Sequence, residues 1–186
     1  MRLAVLSSQE LTPEQVDLYR AILNGPRGQE RRAVPLATGA GGLAGPFNVM
    51  LYAPAVGQAL QELGVAIRFR TGLAPRVREM AVLVVAQAWD SDYERAAHEP
   101  LGRAAGLTES EIAALRAGAD PGFTEEPERV AYAVTRALAD KADLDDTDYD
   151  VAVAALGEQA LVELSTLVGY YSTLALQLRI FRVPAR

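Results

Sequence analysis

The sequence predicts an all-α fold, and three observations carry that prediction. Apolar residues recur at three- and four-residue spacing through most of its 186 residues, many of the periodic segments begin or end on helix-capping or helix-stopping residues, and no stretch alternates apolar and polar residues for long enough to make a sheet. A chain of this length buries a substantial core without a covalent staple. It contains no cysteine, so disulfides, thiolate metal sites and thiol redox chemistry of its own are excluded.

The first element is "LTPEQVDLYRAILNG". Thr12 stands as N-cap, Pro13 takes the first helical position, Gln15 closes a capping box and Gly25 stops the helix, while Val16, Tyr19 and Leu23 share a face. Residues 25–48, "GPRGQERRAVPLATGAGGLAGPFN", have neither helical nor strand period and read as a long loop of the kind that lines binding sites. "APAVGQALQELGVAIRFRTG" is a helix opened by Pro54 and stopped at Gly72. "LAPRVREMAVLVVAQAW" is the next, and residues 80–88 are apolar almost all round, as in a helix buried on every side.

"SDYERAAHEPLGRAAGL" follows, with Ser91 and Glu94 in capping-box register and Pro100 removing a main-chain donor within the helix. "TESEIAALRAG" repeats the device with Thr108 and Glu111. "EEPERVAYAVTRALADKA", "DTDYDVAVAALG" and "EQALVELSTLVGYYSTLALQLRIF" complete the series. The acidic run "DLDDTDYD" lacks the glycine and terminal glutamate of a calcium loop and reads as a helix start.

The single histidine, His98, sets the functional question. Glu94 and His98 stand four apart and share a helix face, and Glu79 interrupts an apolar run on the preceding helix, where an unpaired carboxylate would be costly. A hairpin of the two helices brings Glu79 to His98 and makes a carboxylate, imidazole, carboxylate cluster. The bland alternatives are a satisfied core histidine, a capping Glu94, and a Glu79 paired with Arg76 or Arg78. Phe47, Asn48, Trp89 and Tyr93 are candidate pocket residues, although aromatics at helical spacing, Tyr52 among them, more often belong to the core. Arg68, Arg70 and Arg78 are candidates to hold a substrate carboxylate, Arg70 and Arg78 foremost; Arg68 and Arg70 point to different faces, so at most one shares the site.

The run "GPFNVMLYAPAVGQALQELGVAIRFRTGLAPRVREMAVLVVAQAW", with "DYERAAHEPLGRAAGLTESEIAAL" and "GYYSTLALQLRIF", resembles the carboxymuconolactone decarboxylase and alkylhydroperoxidase D family. The resemblance implies a compact helical bundle of that type, one domain over residues 1–186, with an N-terminal helix and Gly/Pro-rich loop over 1–46 and a helical core over 47–186. The redox branch has a glutamate, a C-x-x-C pair and a histidine; by position these fall on Glu79, Ser91, Glu94 and His98. Both thiol positions hold other residues, so thiol peroxidase activity is not expected. "YERAAHEPLG" is similar instead to the thiol-free decarboxylase branch, with Arg95 and Ala96 where aromatic residues are common.

That resemblance implies acid/base chemistry without a cofactor or a metal on a small carboxylic acid, lactone or polyketide-like intermediate. His98, Glu79 and Glu94 are its catalytic candidates, with His98 as proton donor and Glu79 as its orienter. A trimer or hexamer is also implied. A non-catalytic binding or assembly protein is the alternative. The net charge of −6 argues against nucleic acid, the apolar runs are too short for a membrane span, and the N-terminus lacks the pattern of a secretion signal, so a cytoplasmic location is expected.

Overall fold

The computed structural model describes residues 1–29, 34–39 and 41–185. Among them are ten helices: α1 (Pro13–Asn24), α2 (Pro26–Gln29), α3 (Pro46–Leu51), α4 (Pro54–Phe69), α5 (Pro75–Ala88), α6 (Asp92–Ala104), α7 (Glu109–Ala117), α8 (Glu126–Lys141), α9 (Asp146–Leu156) and α10 (Glu158–Ile180). The described residues contain no strand, only an isolated antiparallel bridge between Ala37 and Leu43.

The helix ends follow local chemistry. Thr12 with Gln15, and Thr108 with Glu111, form complete capping boxes, and Asp145 caps α9 by accepting from the Asp148 N–H. Two boundaries differ from the sequence reading. The 25–48 segment is not all loop, because Pro26 and Pro46 each open a short helix at its two ends, as proline's fixed φ favours. Helix α4 ends at Phe69 with Arg70 as its C-cap, short of Gly72.

Helix α5 is the hub, packing against α6, α7, α8 and α10, while α4 packs against α1, α3 and α10. Every residue from Met80 to Ala86 is buried, so this helix presents no solvent face there. Full burial of each large apolar side chain in that run contributes about 1.5–3 kcal/mol. Leu18, Ile22, Leu36 and Leu43 join the same main hydrophobic cluster as α5 and α10, so the N-terminal segment shares the core.

The connection from α5 to α6 is tight. Asp90 adopts φ 49°, a left-handed conformation that Asp tolerates, and the Ser91 N–H reaches back to the Ala86 carbonyl at 2.8 Å. This closure lays α6 back along α5. No single described helix is long and apolar enough to cross a membrane; α9 and α10 reach that length together only as a pair bent by 113°.

Candidate functional site

The α5–α6 hairpin places Glu79 against His98. His98 Nδ1 lies 2.7 Å from Glu79 Oε2, and the two side chains are 5% and 2% exposed. Burial alone would push the Glu79 carboxyl upward, but the charge and hydrogen bond of His98, with the Arg68 and Arg78 guanidiniums beside it, hold it at about 2. An ionised carboxylate only accepts, so His98 Nδ1 carries the proton and donates it to Glu79. The bond fixes the imidazole's orientation and leaves Nε2 as its working nitrogen.

Nε2 faces Glu94 Oε2 at 3.4 Å. A neutral imidazole with its proton on Nδ1 would turn a lone pair toward that oxygen, which is repulsive if Glu94 is ionised. One further proton, on either side, removes the repulsion. Two carboxylates, Glu79 and Glu94, thus face the two ring nitrogens of His98. Glu94 does not close the capping box that its register with Ser91 suggested. Ser91 Oγ accepts from the Glu94 N–H at 3.5 Å, but the Ser91 N–H is taken by Ala86 and the Glu94 carboxylate turns inward, 3% exposed.

Arginines and tyrosines surround the dyad. Arg68 Nη1 lies 3.4 Å from Glu79 Oε1 and 3.4 Å from the Tyr171 hydroxyl; Arg78 Nε also reaches Glu79 Oε1 at 3.4 Å. The Tyr171 ring meets the His98 ring edge-on at 5.2 Å and the Tyr170 ring at 5.1 Å. Burial raises both phenols above their ordinary value, which keeps them neutral. Tyr170 in turn accepts from Arg27 Nη2 at 3.2 Å. A polar seam thus runs from Arg27 on α2, through two tyrosines of α10 and Arg68 of α4, to the dyad.

The remaining candidates fall outside this seam or at its edge. Arg70 is exposed at the end of α4, and Arg68, one helix face away, takes the inward place, so Arg70 is corrected to a surface residue. Phe47 is buried under the Arg27 guanidinium at 5.5 Å. Asn48 is buried but spent on the N-terminal segment: it donates to the Ala4 carbonyl and accepts from the Leu6 N–H, at 2.9 and 3.0 Å. Its role here is to pin that segment.

Trp89 and Tyr93 line a cavity of about 340 Å³ at the start of α6, which also takes in Ser91. Tyr93 walls a second, smaller cavity of about 130 Å³ with Asn48. Its ring lies so close to Gly45 that a Cβ there would stand 2.1 Å from the hydroxyl; Gly45 also has φ 59°, so both contact and backbone call for glycine. Among the described residues no group of three or more His, Cys, Asp and Glu is arranged to hold a metal ion.

Sequence reasoning missed Arg27, Tyr170 and Tyr171. The signal for the tyrosines was present in "GYY", two adjacent phenols in the middle of the last helix. Arg27 gave none, because it lies in a segment without periodicity.

The chain matches the carboxymuconolactone decarboxylase family over residues 54–137, a span that includes Arg68, Glu79, Glu94 and His98. No curated protein sequence matches it. Among solved structures it is similar to the debrominase Bmp8 in complex with 2,3,4-tribromopyrrole, with a TM-score of 0.74 and 15% identity over 100% of this chain and 92% of that one. The apo form of the same debrominase gives a TM-score of 0.71 at 15% identity, over 97% of this chain and 89% of that one. These likenesses establish a shared fold across nearly the whole length. Over residues 54–137, from α4 into α8, the chain is similar to the carboxymuconolactone decarboxylase family.

Proposed function

We propose that this protein is a cofactor-independent acid/base enzyme acting on a small carboxylic acid, lactone or polyketide-like intermediate. The observation that carries the reading is the 2.7 Å bond between His98 Nδ1 and the ionised Glu79, the two residues to which the family resemblance assigns proton handling. Loss of carbon dioxide from a β-keto or vinylogous acid, or shift of a lactone double bond, passes through an enolate that takes a proton on carbon. His98 Nε2 delivers that proton, Glu79 fixes the ring and stabilises its charged form, and Glu94 receives or returns the proton between turnovers. The debrominase likeness supports the fold and is not carried over as a reaction.

The exposed apolar side chains Val56, Val151, Val162 and Leu176 support a homo-oligomer, a trimer or hexamer by family resemblance. Light scattering at micromolar concentration tests it, and a monomer contradicts it. A cytoplasmic location and a small-molecule partner, rather than nucleic acid or membrane, complete the reading.

One observation favours a second reading. His98 is only 4% exposed, as a histidine kept for the fold would be, which suits a binding or assembly protein that retains the cluster for structure. NMR of the single imidazole separates the two. In an enzyme its ring signals shift on addition of keto acids or lactones, and the shift changes in Glu79→Gln; an imidazole indifferent to every ligand supports the structural reading.

A further inference from the structure

Among the described residues, Arg27 is a buried cation that no carboxylate meets. It is 3% exposed, yet its contacts are a neutral phenol, Tyr170, and the face of Phe47; its Nε has no hydrogen-bond partner, and no ion pair with a described residue is formed. Burying a guanidinium without a counter-charge costs several kcal/mol, so a fold retains one only against a compensating gain. Gly64 of α4 makes the room: a Cβ there would stand 2.1 Å from Arg27 Nη2 and 2.2 Å from the Tyr170 hydroxyl. One turn earlier on the same helix, Gln61 is 3% exposed and its Oε1 also has no partner. A donor and an acceptor, both buried and both unused, thus stand on the adjoining elements α2 and α4.

The local composition agrees. Among the described residues the seam sets three guanidiniums, Arg27, Arg68 and the partly buried Arg78, against two carboxylates, Glu79 and Glu94. Tyr170 feels Arg27, Arg68 and Glu94 together, so Arg27 stands at the same seam as the dyad and not at a separate surface.

We propose that Arg27 and Gln61 form the substrate-anchoring end of this site, Arg27 taking an organic carboxylate and Gln61 a hydroxyl or enol of the same molecule. The assignment rests on the acid/base reading and narrows its substrate class to hydroxy- or enol-bearing carboxylic acids. Arg68 is held by Glu79 and Tyr171 and Arg78 by Glu79, which leaves Arg27, among the described guanidiniums of the seam, open to a ligand.

The test uses three probes of one shape: mandelate, with carboxylate and hydroxyl; phenylacetate, without the hydroxyl; and mandelamide, without the charge. In ¹⁵N-labelled wild type the Arg27 Nε–H signal shifts on titration with mandelate, which binds at least tenfold more tightly than mandelamide. Arg27→Met abolishes that preference while its Tm stays equal or rises, because a buried charge has been removed. Gln61→Leu abolishes the preference over phenylacetate. Wild type that binds mandelate no better than mandelamide, or binds neither, overturns the assignment, as does an Arg27 signal that mandelate leaves unmoved. The wild-type titration needs no variant to fold. Since binding is read without turnover, mandelate held through Arg27 by a protein with no proton-transfer activity leaves this subsite standing and removes the enzyme reading. Proton-transfer activity that is indifferent to Arg27→Met does the reverse.

Discussion

Two ionic clusters grow from the start of α5, and they differ in what surrounds them. Arg76 reaches outward: its guanidinium bonds to Glu111, to Glu128 and to the Gly106 carbonyl, and lies 5.5 Å over the Phe123 ring. It ties α5 to α7, α8 and the turn before α7, with side chains 14–25% exposed. Three residues later Glu79 reaches inward to His98 and Arg68, with side chains 2–5% exposed. The outer cluster pairs one cation with two carboxylates and needs nothing further. The inner one contains an imidazole between two carboxylates and, among the described residues, three guanidiniums, Arg27, Arg68 and Arg78. Water explains the difference: outside, it screens an imperfect balance, whereas inside an imbalance persists only if something else is meant to meet it.

The largest effect that would break this contrast is on stability. Glu79→Leu leaves Arg68 buried without its carboxylate and should cost about 3–5 kcal/mol in urea denaturation; a loss under about 1 kcal/mol would show the inner cluster to be dispensable. Acid comes next. Glu79 is held near 2, well below its ordinary 4.5, so its stabilisation is fully present above about 4.5 and is lost as pH falls toward 2. Glu111, next to Arg76, is also lowered and acts in the same direction. High salt sharpens the comparison, because it should weaken the outer contribution and spare the inner one. An acid limb that Glu79→Gln leaves unchanged would count against the buried dyad.

Smaller effects follow. Arg76→Ala should cost about 1–2 kcal/mol, the scale of a partly exposed ion-pair network with a cation–π contact. Thr108→Ala, which removes a complete capping box, should cost about 1 kcal/mol, and Ser91→Ala less, since Ser91 makes only one long capping bond. Equal losses at the two caps would indicate that Glu94 supports the helix start more than the imidazole.

Much of this was readable in the residues because helical spacing is a geometric rule. The four-residue step from Glu94 to His98 and the charge at Glu79 amid apolar neighbours sufficed to bring three side chains together. Proline and capping residues located most helix starts for the same local reason. What escaped depended on packing between distant segments. Arg27 and Tyr170 are 143 residues apart and meet only because Gly64 leaves space between them. Arg68 and Arg70 are two residues apart, and which of them turns inward depended on where α4 packs, not on composition.

The most direct test of the central claim, that the buried dyad moves protons on a bound carbon acid, is solvent deuterium wash-in. Keto acids and lactones are incubated in heavy water with wild type, His98→Gln and Glu79→Gln, and deuterium at the carbon next to the carbonyl is followed by NMR. The account predicts wash-in catalysed by wild type on at least one compound, slowed by about a hundredfold or more in His98→Gln and by less in Glu79→Gln. Wash-in by wild type no faster than by His98→Gln on every compound would contradict it, and the cluster would then stand as part of the fold alone.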